Sequence, residues 1–388
     1  MKVNQIIHGD CLQVLCTFPS NMVDSVVTDP PYGLTKEPDI REVLEKWLAG
    51  EDYTHRGGGF MGKTWDSFVP GPSVWREVYR VLKPGSHALV FAGTRTQDLM
   101  TTALRLAGFE VRDVIEWLYF SGFPKSLDIA KEFDKRNGIW RGRAGKVISE
   151  NRSMSAPNYE RTPKGEPITD LAKKWDGWGT VLKPAHEPII VVRKPLIDAD
   201  TGRKLTVADC VEKYGTGAIN IDASRIAADD QEELTKACED FSKRDIHTRT
   251  NSGVRFLASE RIIPNMTEGR FPANCVTTEP GAFFSKYFNI TPPELSKKAL
   301  KKDRNSDWRG EEIGATNRHP TVKPTDLMAW LVRLVTPPGG IVLDPFAGSG
   351  STCVAARREG FFFIGIEREL EYVEIARKRV GEINTVSG

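Results

Sequence analysis

Two apolar spacings alternate at both ends of this 388-residue chain, and a long middle stretch keeps neither. Val23 to Thr28 is a short apolar run of the kind that forms a buried strand in a parallel sheet. Val3 to Ile7 and Ala88 to Ala92 read the same way. Ser73 to Leu82 carries apolar residues at helical spacing and is stopped by Lys83-Pro84-Gly85. Thr96 to Ala107 is a second helix, ended by Gly108. Glu110 to Phe120 and Pro188 to Arg193 are two more strands, expected as an antiparallel pair closing the sheet. Toward the carboxyl end, Asp326 to Val335 is helical and Pro337-Pro338-Gly339-Gly340 turns it into an apolar strand. Strands alternating with helices predict an α/β chain whose loops share one crevice at the carboxyl ends of the strands.

Chemistry enters where two of these strands end. Val23 to Thr28 runs into Asp29-Pro30-Pro31-Tyr32. Proline fixes φ and supplies no N–H, so this loop presents a carboxylate and outward carbonyls beside an aromatic face. Such a shelf suits a planar ring bearing an exocyclic amine: the ring stacks on Tyr32 while Asp29 and a proline carbonyl accept the amine hydrogens. A Pro-rich turn capping a strand is the plainer alternative.

The second strand, Gly340 to Asp344, continues into Pro345-Phe346-Ala347-Gly348-Ser349-Gly350-Ser351-Thr352. A helix from Cys353 to Glu359 follows, then a strand, Phe361 to Ile366, ending at Glu367. Strand, glycine turn, helix, strand, acid is the nucleotide-binding half of a doubly wound fold, with the acid about 20 residues beyond the turn on ribose hydroxyls. A phosphate loop needs a lysine before Ser/Thr, and Gly350-Ser351-Thr352 has none. A dinucleotide fingerprint needs a third glycine where Cys353 stands. A nucleoside without phosphate remains, and S-adenosylmethionine fits that description.

These two segments, in this order, resemble the permuted, beta-type amino-group DNA methyltransferases. That family carries a (D/N/S)PP(Y/F) catalytic tetrad early and an FxGxG cofactor loop late. Ile6-Ile7-His8-Gly9-Asp10-Cys11 is similar to its cofactor-adenine motif, and His319-Pro320-Thr321-Val322-Lys323-Pro324-Thr325 to the segment preceding the glycine loop. The middle resembles phage-type DNA methylases through Trp178-Gly179-Thr180-Val181-Leu182-Lys183-Pro184-Ala185-His186-Glu187-Pro188. The resemblance implies a Rossmann-like S-adenosylmethionine-dependent methyltransferase fold in circularly permuted motif order, with an inserted target-recognition region. Asp29, Pro30, Pro31 and Tyr32 become the expected catalytic residues. Asp10, Cys11, Lys323, Asp344, Phe346, Gly348, Ser349, Gly350, Ser351 and Glu367 are the expected cofactor contacts, with Glu367 on the ribose, Asp10 on the adenine amine and Lys323 near the cofactor carboxylate. Asp10 is compatible with a second role as N-cap of a helix starting at Cys11.

The implied domains are 1–120 and 319–388 as the catalytic and cofactor-binding halves, 186–193 as a sheet-closing strand, 121–185 as an insertion near the active site and 194–318 as the target-recognition region. Gly33 to Phe68, with a helix over Ile40 to Leu48 and Arg56-Gly57-Gly58-Gly59 beyond it, is expected to be a lid beside the catalytic strand. The reaction implied is transfer to the N6 amine of adenine in double-stranded DNA after the base flips out. Cytosine N4 stays open, because both targets are exocyclic amines beside a ring nitrogen; so do a catalytically retired DNA-binding relative and methylation of RNA or protein amines.

Composition narrows the setting. The net charge of +2 is small for a DNA binder, but residues 131–320 hold 33 Lys and Arg against 28 Asp and Glu, and the remainder 21 against 24. Candidate phosphate contacts are Arg141-Gly142-Arg143, Lys243-Arg244, Arg249 and Lys297 to Arg304, while Trp175 and Trp178 are either core or a displaced-base filler. Six scattered cysteines without a CxxC pair argue for a reducing compartment and against structural zinc, so no metal is expected. No Pro-Cys dipeptide is present, which disfavours covalent attack on a pyrimidine ring. No run approaches the ~20 apolar residues of a membrane span, and the start lacks an apolar leader core. The expectation is a cytoplasmic protein of a bacterial, archaeal or phage-infected cell, a homodimer by family analogy alone.

Overall fold

The computed structural model describes residues 2–34, 38–55, 66–119, 126–139, 165–227, 236, 269–278, 288–290, 304–314, 316–319 and 321–381. The chain divides into two compact units, residues 120–185 and the remainder.

In the larger unit the described strands are β1 (Gln5–His8), β2 (Val23–Thr28), β3 (Leu82–Phe91), β4 (Glu110–Leu118), β5 (His186–Arg193), β6 (Cys275–Thr277), β7 (Ile341–Asp344) and β8 (Phe362–Glu367). They form one sheet in the order β1-β8-β7-β2-β3-β5-β4-β6. β1, β8, β7, β2 and β3 are parallel neighbours, and β5 runs antiparallel to both β3 and β4. The expected sheet-closing pair is therefore present, extended by β6 alongside β4. The sequence order turns back between β7 and β2, which makes their carboxyl ends the switch-point crevice of an open α/β sheet.

Period-2 alternation in the central strands feeds two cores. Val27, Leu89, Phe91 and Ile189 pack on one face under α8 (Thr325–Val335), α9 (Ser351–Arg358) and α10 (Leu370–Val380). Val26, Ala88, Val90 and Ile190 face the opposite layer, built from α1 (Cys11–Cys16), α2 (Ile40–Leu48), α3 (Pro72–Val81) and α4 (Gln97–Leu106). All six residues of β2 are buried, as a strand covered by helices on both sides requires.

The helix expected to stop at Lys83-Pro84-Gly85 ends at Val81, and β3 starts at once. The three residues are absorbed as a bulge: Val23 pairs with Leu82, and the next paired residue, Ser25, meets His87. Gly85 supplies the left-handed backbone the bulge needs, at φ +77°. In the larger unit three strands and α-helices went unpredicted: β6, α10 and α7 (Val207–Tyr214). A reciprocal Thr206–Asp209 capping box starts α7 and Gly215 ends it. α7 packs on β3, placing the Cys210 thiol against the bulge, where it donates to the Pro84 carbonyl at 3.2 Å. Of the expected lid, Trp47 of α2 lies 6.2 Å and Tyr53 5.1 Å from Phe68, ring to ring, while Arg56-Gly57-Gly58-Gly59 lies outside the described residues.

The smaller unit contains α5 (Ile129–Arg136) and α6 (Asp170–Lys174). Buried Asp134 joins them by accepting from the Ile168 and Thr169 amides and the Thr169 hydroxyl. Trp175 and Trp178 meet edge to face at 4.9 Å, and Trp178 remains 60% exposed, so neither is core.

Candidate active site

At the carboxyl end of β2 the chain leaves the sheet through Asp29-Pro30-Pro31-Tyr32, and several groups fix that exit. The Tyr32 and Gly33 amides donate to Asp66 Oδ1 at 3.0 and 3.3 Å, and the Thr96 hydroxyl donates to the Tyr32 carbonyl at 2.6 Å. Gly33 holds φ +63° with the Phe68 backbone 2.9 Å from where a Cβ would stand, so only glycine fits. The Tyr32 hydroxyl donates to Glu187 Oε2 at 3.0 Å, which sets the ring's orientation.

Asp29 has two unlike oxygens. Oδ2 receives the Lys323 ammonium at 2.6 Å, whereas Oδ1 is buried with no hydrogen-bond partner. An orphaned buried acceptor costs roughly 1–3 kcal/mol until a donor arrives. Burial pushes the Asp29 carboxyl above its ordinary pKa and Glu187 adds to this, outweighing the opposing ammonium. Burial alone would lower the Lys323 ammonium; the Asp29 and Glu187 carboxylates overcome that and raise it.

At the end of β7, Asp344 is committed to structure. Its Oδ1 accepts from the Thr28 hydroxyl at 2.6 Å and from the Phe346 amide at 3.1 Å, and burial lifts its carboxyl to about 6. Glu367, ending β8, reaches back to the glycine loop: Oε2 accepts from the Gly348 amide at 2.8 Å and Oε1 from the Glu369 amide at 2.7 Å. Asp10 caps α1 by accepting from Leu12 and Gln13 through Oδ1, which leaves its second oxygen unspent on the cap. Burial, reinforced by Asp10, pushes the Cys11 thiol up to about 12, so it stays protonated.

These groups line one cavity of about 490 Å³. Every residue expected at the site borders it except Gly350. Gly350 begins α9 at φ +84°, and a Cβ there would meet the Ala376 Cβ at 3.0 Å, so its bareness serves the packing of α10. Gly348, at φ +51°, does open onto the cavity; a Cβ would come within 2.8 Å of His319 Nε2.

Four contributors received no role from the sequence: Glu187 and His319, which lie in the family-like segments, and Asp66 and Arg379. Arg379 is fully buried beneath the glycine loop and donates to the Ser349 carbonyl at 2.8 Å, the Ser306 carbonyl and the Ser351 hydroxyl. His319 stacks edge-on against Tyr372 at 4.5 Å, and Arg304 donates to its carbonyl. Arg304 borders the cavity; the other candidate phosphate contacts, Arg141-Gly142-Arg143, Lys243-Arg244, Arg249 and 297–303, lie outside the described residues. Among the described residues no cluster of three His, Cys, Asp or Glu is placed to hold a metal, and no helix is long and apolar enough to cross a membrane.

Comparison with known proteins adds an independent finding. The sequence profile of the N6/N4 DNA methylases matches residues 23–378. Type II methyltransferase M.HindIII of Haemophilus influenzae is 24% identical, with 98% of this chain and 96% of that protein covered. Type II methyltransferase M2.DpnII of Streptococcus pneumoniae is 51% identical over 63 residues, 16% of this chain and 24% of its own length. Among solved structures, the cytosine-N4-specific PvuII DNA methyltransferase aligns at 17% identity and TM-score 0.47, covering all of this chain and 89% of its own. M1.HpyAVI in complex with S-adenosylmethionine aligns at 15% identity and TM-score 0.39, covering 97% and 99%.

Proposed function

The chain belongs to the N6/N4 DNA methylase family, and from that premise we propose that it transfers a methyl group from S-adenosylmethionine to the N6 amine of adenine in double-stranded DNA. The observation that carries this reading is the buried, unpartnered Oδ1 of Asp29, a residue that lines the same cavity as the Gly348 loop.

The residues present fit the cofactor. Gly348 leaves open a surface that any side chain would fill, and Glu367 and Asp10 offer carboxylate oxygens for hydroxyls and an amine. Gly350-Ser351-Thr352 has no lysine for a phosphate, and the Ser351 hydroxyl is engaged by Arg379. When bound, the cofactor supplies an electrophilic methyl on a sulfonium.

The protein's part is to prepare the nucleophile. The lone pair of an exocyclic amine is delocalised into its ring. Asp29 Oδ1, with the Pro30 carbonyl, accepts the amine hydrogens and draws the nitrogen toward tetrahedral geometry, which frees the lone pair for in-line attack. This is orientation with electrostatic preorganisation and needs no covalent enzyme intermediate. Asp29 acts as an acceptor and not as a prior base, because a neutral aromatic amine is far too weak an acid. The flipped base stacks on Tyr32, whose hydroxyl is held by Glu187.

Aspartate at the tetrad's first position favours adenine by family resemblance. On this reading 1–120 and 319–388 are the two halves of the catalytic domain, 194–318 supplies target recognition, and the enzyme works on DNA in the cytoplasm. Incubation with tritiated cofactor and mixed-sequence duplex DNA, followed by nucleoside digestion, tests it. Label in 6-methyladenine is expected; label confined to 4-methylcytosine would overturn the choice of base, and label in RNA or protein alone the choice of substrate.

A further inference from the structure

Lys323 is a buried ammonium with a full set of acceptors. Asp29 Oδ2 lies at 2.6 Å, the Tyr32 hydroxyl at 3.1 Å and Glu187 Oε2 at 3.2 Å, one for each of its three protons. The Phe91 ring, 4.8 Å from the ammonium to its centroid, and the Tyr32 ring, at 5.2 Å, flank it. The members come from four places: the loop after β2, β5, the segment before α8 and the end of β3. Two carboxylates share one cation, so with both ionised the cluster carries one net negative charge in a part-buried site.

We infer that Glu187, acting through the ammonium it shares with Asp29, sets the proton affinity of Asp29, so that the cluster takes up the single proton released on methylation. The inference rests on the reading of this cavity as a methyl-transfer site. As the amine nitrogen forms its bond to the methyl carbon, the carbon–sulfur bond breaks and sulfur keeps the pair. The positive charge passes to nitrogen, which sheds a proton along the N–H···Oδ1 contact to Asp29. The cluster then goes from minus one to zero, and Lys323 stays balanced by Glu187 when Asp29 is neutral. Without Glu187, an Asp29–Lys323 pair would already be neutral. It would also be a poor proton acceptor, because a close opposite charge lowers a carboxyl pKa by about 1–3 units.

Glu187 and Lys323 are thus positioning residues. The groups acting on Asp29 are Lys323, Glu187, the Tyr32 hydroxyl and, from β7, Asp344; Tyr119, beyond β4, hydrogen-bonds Glu187. The two substitutions that remove one charge each have opposite signs, and this makes the test discriminating. Glu187→Gln deletes a negative charge and lowers the Asp29 midpoint by about one unit, whereas Lys323→Met deletes a positive one and raises it by about 1–3 units. Lys323→Arg keeps the charge and stays near the parent.

The experiment titrates the carboxyl of the full-length protein by NMR with carbon-13-labelled aspartate, Asp29→Asn identifying the resonance. The acid limb of the single-turnover rate on duplex DNA is followed in parallel. Opposed shifts in midpoint and acid limb are expected, with cofactor affinity in calorimetry changed less than about threefold by Glu187→Gln. Midpoints that move together, or not at all, overturn the inference. If Lys323→Met does not fold, Glu187→Gln and Lys323→Arg decide by the same criteria. Opposed midpoints in a protein that labels no DNA would sink the methyl-transfer reading and, with it, the proton-uptake role, leaving only the electrostatic coupling.

Discussion

The Thr28 hydroxyl donates to Asp344 Oδ1 at 2.6 Å, tying the last residue of β2 to the last residue of β7 across 316 positions of sequence. Each of these residues precedes one of the two motif loops. The bond therefore fixes the shelf that offers Asp29 and the loop that offers Gly348 at a common height in the crevice. Backbone pairing of Val26 with Leu343 sets the register, and the side-chain contact closes it at the rim. Convergence of the two loops is in this sense a consequence of parallel pairing at a switch point, where neighbouring strands must end side by side.

Asp29→Ala removes the orphaned acceptor and should reduce methyl transfer by about 10²–10³-fold, the range found when a group stabilising developing charge is deleted. Cofactor affinity should change less than about threefold, since the Gly348 loop and Glu367 are untouched. Tritium transfer and calorimetry read the two quantities separately. Near-parental turnover would remove Asp29 from the mechanism.

Gly348→Ala should weaken the cofactor by about tenfold or more, for two separable reasons. At φ +51° an alanine is strained, and its methyl group would stand 2.8 Å from His319 Nε2. His319→Ala clears the second obstacle and leaves the first. In a double-mutant cycle the pair should therefore recover part of the lost affinity. Strict additivity would show that the imidazole is not what the methyl group meets.

How far the sequence could reveal this site depends on the range of each interaction. β2, β7 and the glycine loop are legible because an apolar run and a glycine turn are local facts about the chain. α7 carries a signal of its own, a capping box followed by Val207, Cys210, Val211 and Tyr214 at helical spacing, but the stripe is only two turns long and stands alone in a stretch without sustained periodicity. β6 has three residues and exists only because β4 offers it an edge. Arg379 has no local signature, and Glu187, although it lies in the Trp178 to Pro188 stretch, draws no role from its sequence neighbours. Glu187 gains meaning from an ammonium on the segment before α8, and Arg379 from carbonyls 30 and 73 positions away. Lys323 was visible as part of a motif, but its engagement with Asp29 is a tertiary fact that no spacing announces.

Arg379→Met should lower stability by about 3 kcal/mol, because it strands buried carbonyls of Ser349 and Ser306 that the guanidinium now satisfies. Urea denaturation gives the loss directly. Arg379→Lys should fall between the two, since an ammonium cannot span acceptors on both sides as the planar fork does. A methionine variant as stable as the parent would mean that the loop above is not held by this contact.

Asp344 makes stability depend on pH in a direction opposite to the usual carboxylate. Burial raises its folded-state pKa from 3.8 to about 6, so the folded chain holds this proton more tightly than the unfolded chain does. The folded state is therefore favoured below the unfolded value, and that advantage disappears as pH rises through about 6. The interval corresponds to about 3 kcal/mol at 1.36 kcal/mol per unit. Asp344→Asn keeps an oxygen for Thr28 and the Phe346 amide but cannot ionise, so this component of the pH dependence should vanish. Urea denaturation of both proteins between pH 4 and pH 7 isolates it, because Asp29, Asp66 and Glu367, which burial also raises, are common to both. The parent should lose about 2 kcal/mol more than the variant across that range, since the unfolded carboxyl is already partly ionised at pH 4, whereas parallel curves would show that Asp344 is ionised at no cost to the fold.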